Sequence, residues 1–418
     1  MMTQAFYTGL SGLQSTSYGI DVVSDNLANV NTVGYRGNTY EFSSLFEDSL
    51  SETSAMSSDS VGLGTRLQAT PMTGTSGSYS TTDRSTDLAI VGDGWFGIQN
   101  GDNISYTRNG AFGFDRDYSL VTTSGEYVLG TMAGNISGNT LTSVQGYTPL
   151  GDVNTQEQLS FPQTLTYPTQ PTTEVSFSGN LGDISSEMVT FSAGAIDSQD
   201  NINTLRLEFV PSTPQPESGV EWDVTAITES KDGTTVYDTQ SGKVVFDESG
   251  LLVSSSLPTI DNNGTALSID LGNGYDGVVS MSNLETSYSS SVNGIQSGEL
   301  YGYDVNQDGD VIATFTNGMQ SSVGKVAVYH FQNDQGLSRI SGTLFAESSN
   351  SGDAFFYKNE DGENIIGTQM MNHSLETSNV DMTYGMTELI ILQRSYDANS
   401  KSITTADEMM KKALEMDA

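Results

Sequence analysis

Residues 10–36 read LSGLQSTSYGIDVVSDNLANVNTVGYR and residues 378–414 read SNVDMTYGMTELIILQRSYDANSKSITTADEMMKKAL. Phe6, Leu10, Leu13, Ile20 and Leu27 recur in steps that keep them on one side of a helix. The same holds for Met382, Met386, Leu389, Tyr396, Ile403, Met410 and Leu414. Gly9, Gly12 and Gly19 lie inside the first stripe, and each costs about 1 kcal/mol against Ala, so this helix is weak alone. Ser378 and Asp381 resemble an N-cap and a first-turn carboxylate for the second. Two ordinary helices on a globular core would carry such stripes. A shared period at opposite ends of a chain with a different middle favours a terminal coiled-coil-like pair. Stripes that the middle cannot cover point to self-assembly.

Between these ends the chain is rich in Gly, Ser and Thr. Residues 37–70 are Ser-rich and weakly patterned, and read as an extended connecting arm. From 71 to 145, and again from 291 to 370, short apolar runs alternate with Asn-Gly, Asp-Gly and Ser-Gly turn pairs, the pattern of hairpins. The 146–290 segment opens on Pro149, Pro162, Pro168 and Pro171, and then alternates in strands such as TLRLEFV. It holds 20 acidic and 3 basic residues. The expected fold class is mixed. Terminal helices at 1–36 and 371–418 form an inner domain, and two all-β domains follow, the outer one (146–290) inserted into the inner one (71–145 with 291–370).

Composition narrows the function. With 52 acidic and 15 basic residues the net charge is −37, and both nucleic acid and anionic membrane would repel such a chain. No cysteine is present, so disulfides and thiolate chemistry are ruled out. No apolar run is long enough to span a bilayer, and no cleavable signal peptide is expected at the N-terminus. The string 304–310, DVNQDGD, imitates half an EF-hand loop. Its twelfth position is Phe315 where a bidentate Glu is needed, so a hairpin turn is the expected reading. His330 and His373 stand apart with no third ligand near them in sequence, and no GxSxG elbow exists. Trp95 and Trp222 read as core aromatics. No catalytic residue, metal or cofactor is expected, and the chain reads as a non-enzyme.

The 10–36 string resembles the N-terminal signature of the bacterial flagellar rod and hook proteins. STDLAIVGDGWFGI (85–98) and YTRNGAFGFDRDYSLVTTSGEYVLG (106–130) are similar to that family's inner β domain, and the C-terminal string is similar to its terminal helix. Gly385 stands where the family commonly has an acidic helix former. The resemblance implies a structural subunit that polymerises into the curved hook tube linking rod to filament, with the distal rod as the alternative. The large 146–290 insert favours the hook. It also implies flagellar type III export without cleavage, an extracellular site at the flagellar base, and rod, junction and hook-cap proteins as partners. Phe42-Ser-Ser-Leu-Phe46 looks like the element read by the export gate, although a core contact or arm anchor accounts equally well for Phe42 and Phe46.

Overall fold

A computed structural model describes residues 2–45, 64–184 and 188–416. Helix α1 runs Met2–Ala28 and helix α2 runs Met382–Met416. Asp381 alone caps α2, its Oδ1 accepting the amides of Thr383 (2.7 Å) and Tyr384 (3.0 Å). Ser378 instead turns the preceding loop, its Oγ accepting the Val380 amide at 3.3 Å. The two helices pack antiparallel, so the chain's ends meet. Beside α1, strand Glu41–Ser44 pairs antiparallel with Thr65–Ala69, which brings the two ends of the 37–70 arm together. Ser15 Oγ donates to Thr65 O at 3.0 Å and holds this ladder against the helix.

The β residues divide between two hydrophobic clusters. The first joins 88–167 to 298–370 around Trp95, Phe96, Phe112, Phe315, Tyr329 and Phe345. One large sheet path connects them, in which Gly298–Val305, Asp310–Phe315 and Gln320–Val326 form a meander. Gln320–Val326 then pairs with Tyr127–Met132, and that strand pairs with Trp95–Asn100. Residues 306–309 form the turn between two of these strands, with Asn306 Oδ1 accepting the amides of Asp308 (3.0 Å) and Asp310 (2.8 Å).

The second cluster gathers 175–278 around Phe177, Phe191, Leu205, Phe209, Trp222 and Phe246. One of its two five-stranded sheets is an antiparallel meander from Val189–Ile196 to Leu252–Ser255. Leu205, Leu207 and Phe209 on Ile202–Pro211 point inward at every second position, as the pleat requires. Facing it, Glu174–Asn180 is paired with Thr265–Asp270 and Ser287–Val292. Trp222 closes the sandwich and donates its indole N–H to Ser280 Oγ at 3.1 Å.

The division expected at 146 falls inside the first cluster's own chain. Leu150, Leu159, Phe161, Leu165 and Tyr167 all bury there, and Thr166–Tyr167 pairs with Gly298–Glu299. The chain crosses between clusters at Gln170 and Ile295, which pair with each other. The prolines mark a loop that packs on the inner body before the crossing. Likewise residues 371–376, counted with the terminal helix on sequence, belong to the strands Gln369–Asn372 and Ser374–Glu376 and the turn between them, and those strands pair with Leu88–Val91 and Tyr79–Thr81.

Candidate assembly interface

The helix pair closes through small side chains. A Cβ placed on Gly9 would lie 2.9 Å from Ile403 Cγ1, and one on Gly12 would lie 2.7 Å from Asn399 Nδ2. Leu392 covers Gly19, and at the far end Leu27 covers Gly385. These contacts run in opposite directions along the two helices. The buried positions of α1 (Gly9, Gly12, Ser15, Thr16, Gly19 and Val23) fall on one face of the helix. Gly385, Leu392 and Ala406 are the buried residues of α2. The glycines that weaken α1 as an isolated helix are therefore the positions where α2 makes its closest approach.

This seam runs beside the apolar stripe read from the sequence. Phe6, Leu13, Ile20, Leu27, Leu389, Ile403 and Met410 are half-buried on its flanks. Leu10, Met382, Met386, Tyr396 and Leu414 are exposed. Tyr7, Tyr18, Tyr384, Ile390 and Ile391 are exposed as well, the last at 60%. The pair thus leaves a broad apolar surface uncovered within one chain. Phe42 rests its ring near Gly19 and beside Tyr40 while staying 38% exposed. Phe46 lies outside the described residues.

A buried polar knot ties the pair to the β body. Glu376, just before α2, accepts Arg36 Nη2 at 2.9 Å and Arg108 Nη1 at 3.3 Å, with all three side chains at most 3% exposed. Burial lowers the Arg108 pKa, and so does Arg36, while Glu376 opposes the shift. The Glu376 carbonyl accepts the Gly34 amide at 2.8 Å. Gly34 has φ +67°, and a Cβ there would meet Asn109 N at 2.4 Å, so only glycine allows this return of the chain. Arg339 stacks over Tyr35 and Phe345, 4.9 Å from each ring. Hydrophobic periodicity cannot report such a knot. The only sequence signal was the charge itself, Arg36 and Glu376 standing beside the helices in a chain with 15 basic residues. Among the described residues no group of three or more His, Asp or Glu side chains could hold a metal ion.

The seam yields a prediction with an unusual sign. Alanine ordinarily favours a helix over glycine by about 1 kcal/mol. Gly9→Ala should nevertheless lower the thermal midpoint of helix loss followed by far-UV circular dichroism, because Ile403 Cγ1 occupies the new Cβ's space. A raised midpoint would show that the helices do not meet there.

Comparison with known proteins places both helices and the inner body. The profile "Flagella basal body rod protein" matches residues 6–36, and "Flagellar hook protein FlgE/F/G D1 domain" matches 89–178. "Flagellar basal body rod FlgEFG protein C-terminal" matches 371–416. The flagellar hook protein FlgE of Brucella suis is 30% identical over 417 residues, covering 96% of each chain. That of Borreliella burgdorferi is 27% identical over 99% of this chain and 100% of its own, and that of Salmonella typhimurium is 27% identical over 97% and 98%. The crystal structure of Helicobacter pylori flagellar hook protein FlgE2 shares the fold with a TM-score of 0.53 at 17% identity, covering 71% of this chain and all of that one. These relatives, matched over nearly their whole length, are hook proteins, and with 30% identity sustained over nearly the whole of both chains, this chain belongs to the flagellar hook protein family, structural subunits and not enzymes.

Proposed function

We propose that this hook subunit polymerises through its terminal helices into a curved tube, with the α1–α2 pairs lining the inside and the β clusters outside. The observation that carries this reading is the exposed apolar surface of the helix pair. Within one chain the seam is the narrow line where Ile403, Asn399, Leu392 and Leu27 pack on glycines, so Ile390, Ile391, Met386 and Tyr396 stay outward. Full burial of such a side chain is worth about 1.5–3 kcal/mol, and these, still 41–60% exposed, gain the share that remains when a second copy covers them. In the same reading, the segment beyond Gln170 and Ile295 is a separate β domain nested in the inner one. Its acidity keeps neighbouring outer domains from fusing into a rigid wall.

The tube would join the rod below and the hook–filament junction proteins above, and grow beneath a hook cap outside the cell. Its subunits would leave through the flagellar type III apparatus without cleavage. Phe42, partly exposed on the arm, is the described half of the proposed export element. Phe42→Ala should reduce secretion at unchanged cellular expression, measured by blotting both fractions. Undiminished secretion would remove that role.

Ile391→Asp tests the assembly reading. The change costs the single chain little, since Ile391 is 60% exposed there. In a polymer it would strand a charge in an apolar contact at a cost of several kcal/mol. The variant should be secreted and folded yet form no hooks by electron microscopy. Hooks of normal length would count against the helix surface as the contact.

A further inference from the structure

Two junctions connect the parts of this chain, and they are built differently. The neck between helices and β body is stitched by the buried Arg36–Glu376–Arg108 group. The waist between the two β clusters is crossed by only two segments. At the crossing they pair through Gln170 N, which donates to Ile295 O at 2.8 Å, and Ile295 N, which donates to Gln170 O at 2.9 Å, and on the outer side the ladder resumes as Glu174–Asn180 against Ser287–Val292. The carboxylate of Asp200 reaches across beside them. Asp200 sits in the turn between Val189–Ile196 and Ile202–Pro211 of the outer sandwich. Its carboxylate accepts the hydroxyl of Thr169 at 2.8 Å, the amide of Ser297 at 2.9 Å and the Ser297 hydroxyl at 2.5 Å. Thr169 and Ser297 belong to the inner side, next to the paired strands Thr166–Tyr167 and Gly298–Val305.

The outer mount of this carboxylate is stiff. Asp197, fully buried, accepts the Gln199 amide at 2.9 Å, the Asn201 amide at 2.8 Å and Asn263 Nδ2 at 2.7 Å. Asp200 is thereby held at φ +68°, a conformation Asp tolerates better than most residues. Desolvation pushes the Asp200 pKa up, but the hydrogen bonds from Ser297 and Thr169 outweigh it and hold the carboxyl below its usual range. A charged acceptor taking three donors is a strong contact for one side chain.

We propose that Asp200 is a positioning residue, the latch that fixes the angle of the outer β unit on the inner one. Once the latch is released, the outer unit swings about the Gln170–Ile295 pair. The proposal rests on the reading of the segment between those residues as a separate unit. In a tube of many copies this angle would decide how outer units meet their neighbours, and the latch is where the subunit can yield while its neck stays rigid.

The chain has no cysteine, so Ser124→Cys on the inner body and Thr239→Cys on the outer sandwich accept spin labels uniquely. Both positions are exposed. In the soluble full chain, electron–electron resonance should read one narrow distance. Asp200→Gly, which suits the positive φ, should broaden it while leaving the melting of both β units unchanged. Thr169→Val with Ser297→Ala removes two donors from the opposite side and should broaden it too. A further variant, Trp222→Ala, checks the underlying reading by calorimetry, since it should lower the transition of the outer unit alone. If that separation holds and neither latch variant broadens the distance, the latch is wrong. If Trp222→Ala lowers a single common transition and the distance stays narrow throughout, the separate unit is wrong and the latch falls with it.

Discussion

Everything in this chain depends on how closely α1 and α2 approach. Glycines at 9, 12 and 19 let α2 come so near that a single added carbon would collide with Ile403 or Asn399. Close approach through small residues confines the intramolecular contact to a narrow line. The larger apolar side chains are then displaced to the flanks and the outer surface. A pair zipped by leucines would have used up the surface that a polymer needs. The helix-weakening cost of glycine is accepted where it leaves apolar area free for other copies.

Force applied to such a pair has to reach the β body through the neck. Replacing Glu376 would leave the Arg36 and Arg108 guanidinium groups buried with no carboxylate between them, which is what makes this junction costly to deform. Asn379 adds a second tie, its Oδ1 accepting the Gly37 amide at 2.8 Å and its Nδ2 donating to Thr75 O at 2.8 Å. Both chain segments that leave the helices therefore enter the same knot. The contrast with the waist, where a two-stranded crossing at Gln170 and Ile295 is braced by one carboxylate, Asp200, rather than by a buried ionic knot, separates a stiff part of the subunit from a compliant one.

Much of this was legible beforehand because helices and hairpins announce themselves by period and turn chemistry. The stripes located both helices, and DVNQDGD was correctly read as a turn, since Asn306 there accepts two backbone amides. The contact line within the helix pair was not legible. Leu389, Ile403 and Met410 flank it, but its centre is Gly385, Leu392, Asn399 and Ala406, and hydrophobic periodicity does not register glycine or asparagine as contact residues. Gly385, noted as a departure from a helix former, is where Leu27 docks. The crossing points were also hidden. Phe161 and Leu165 bury outside any strand and Tyr167 from a strand of only two residues, too short to show alternation, so the prolines near them looked like an entry to the outer unit. Arg36, Glu376 and Arg108 lie far apart in sequence, and their meeting is a product of the fold alone.

The central claim is that the outward apolar surface of the helix pair is covered by other copies. Peroxide oxidation of methionine read by peptide mass spectrometry addresses it directly, because Met386 and Met409 are exposed on α2 whereas Met371 is exposed on the β body. In the soluble chain all three should oxidise. In intact hooks Met386 and Met409 should become protected while Met371 stays reactive. If Met386 and Met409 oxidise in hooks as fast as in the free chain, the helix surface is not where the copies meet.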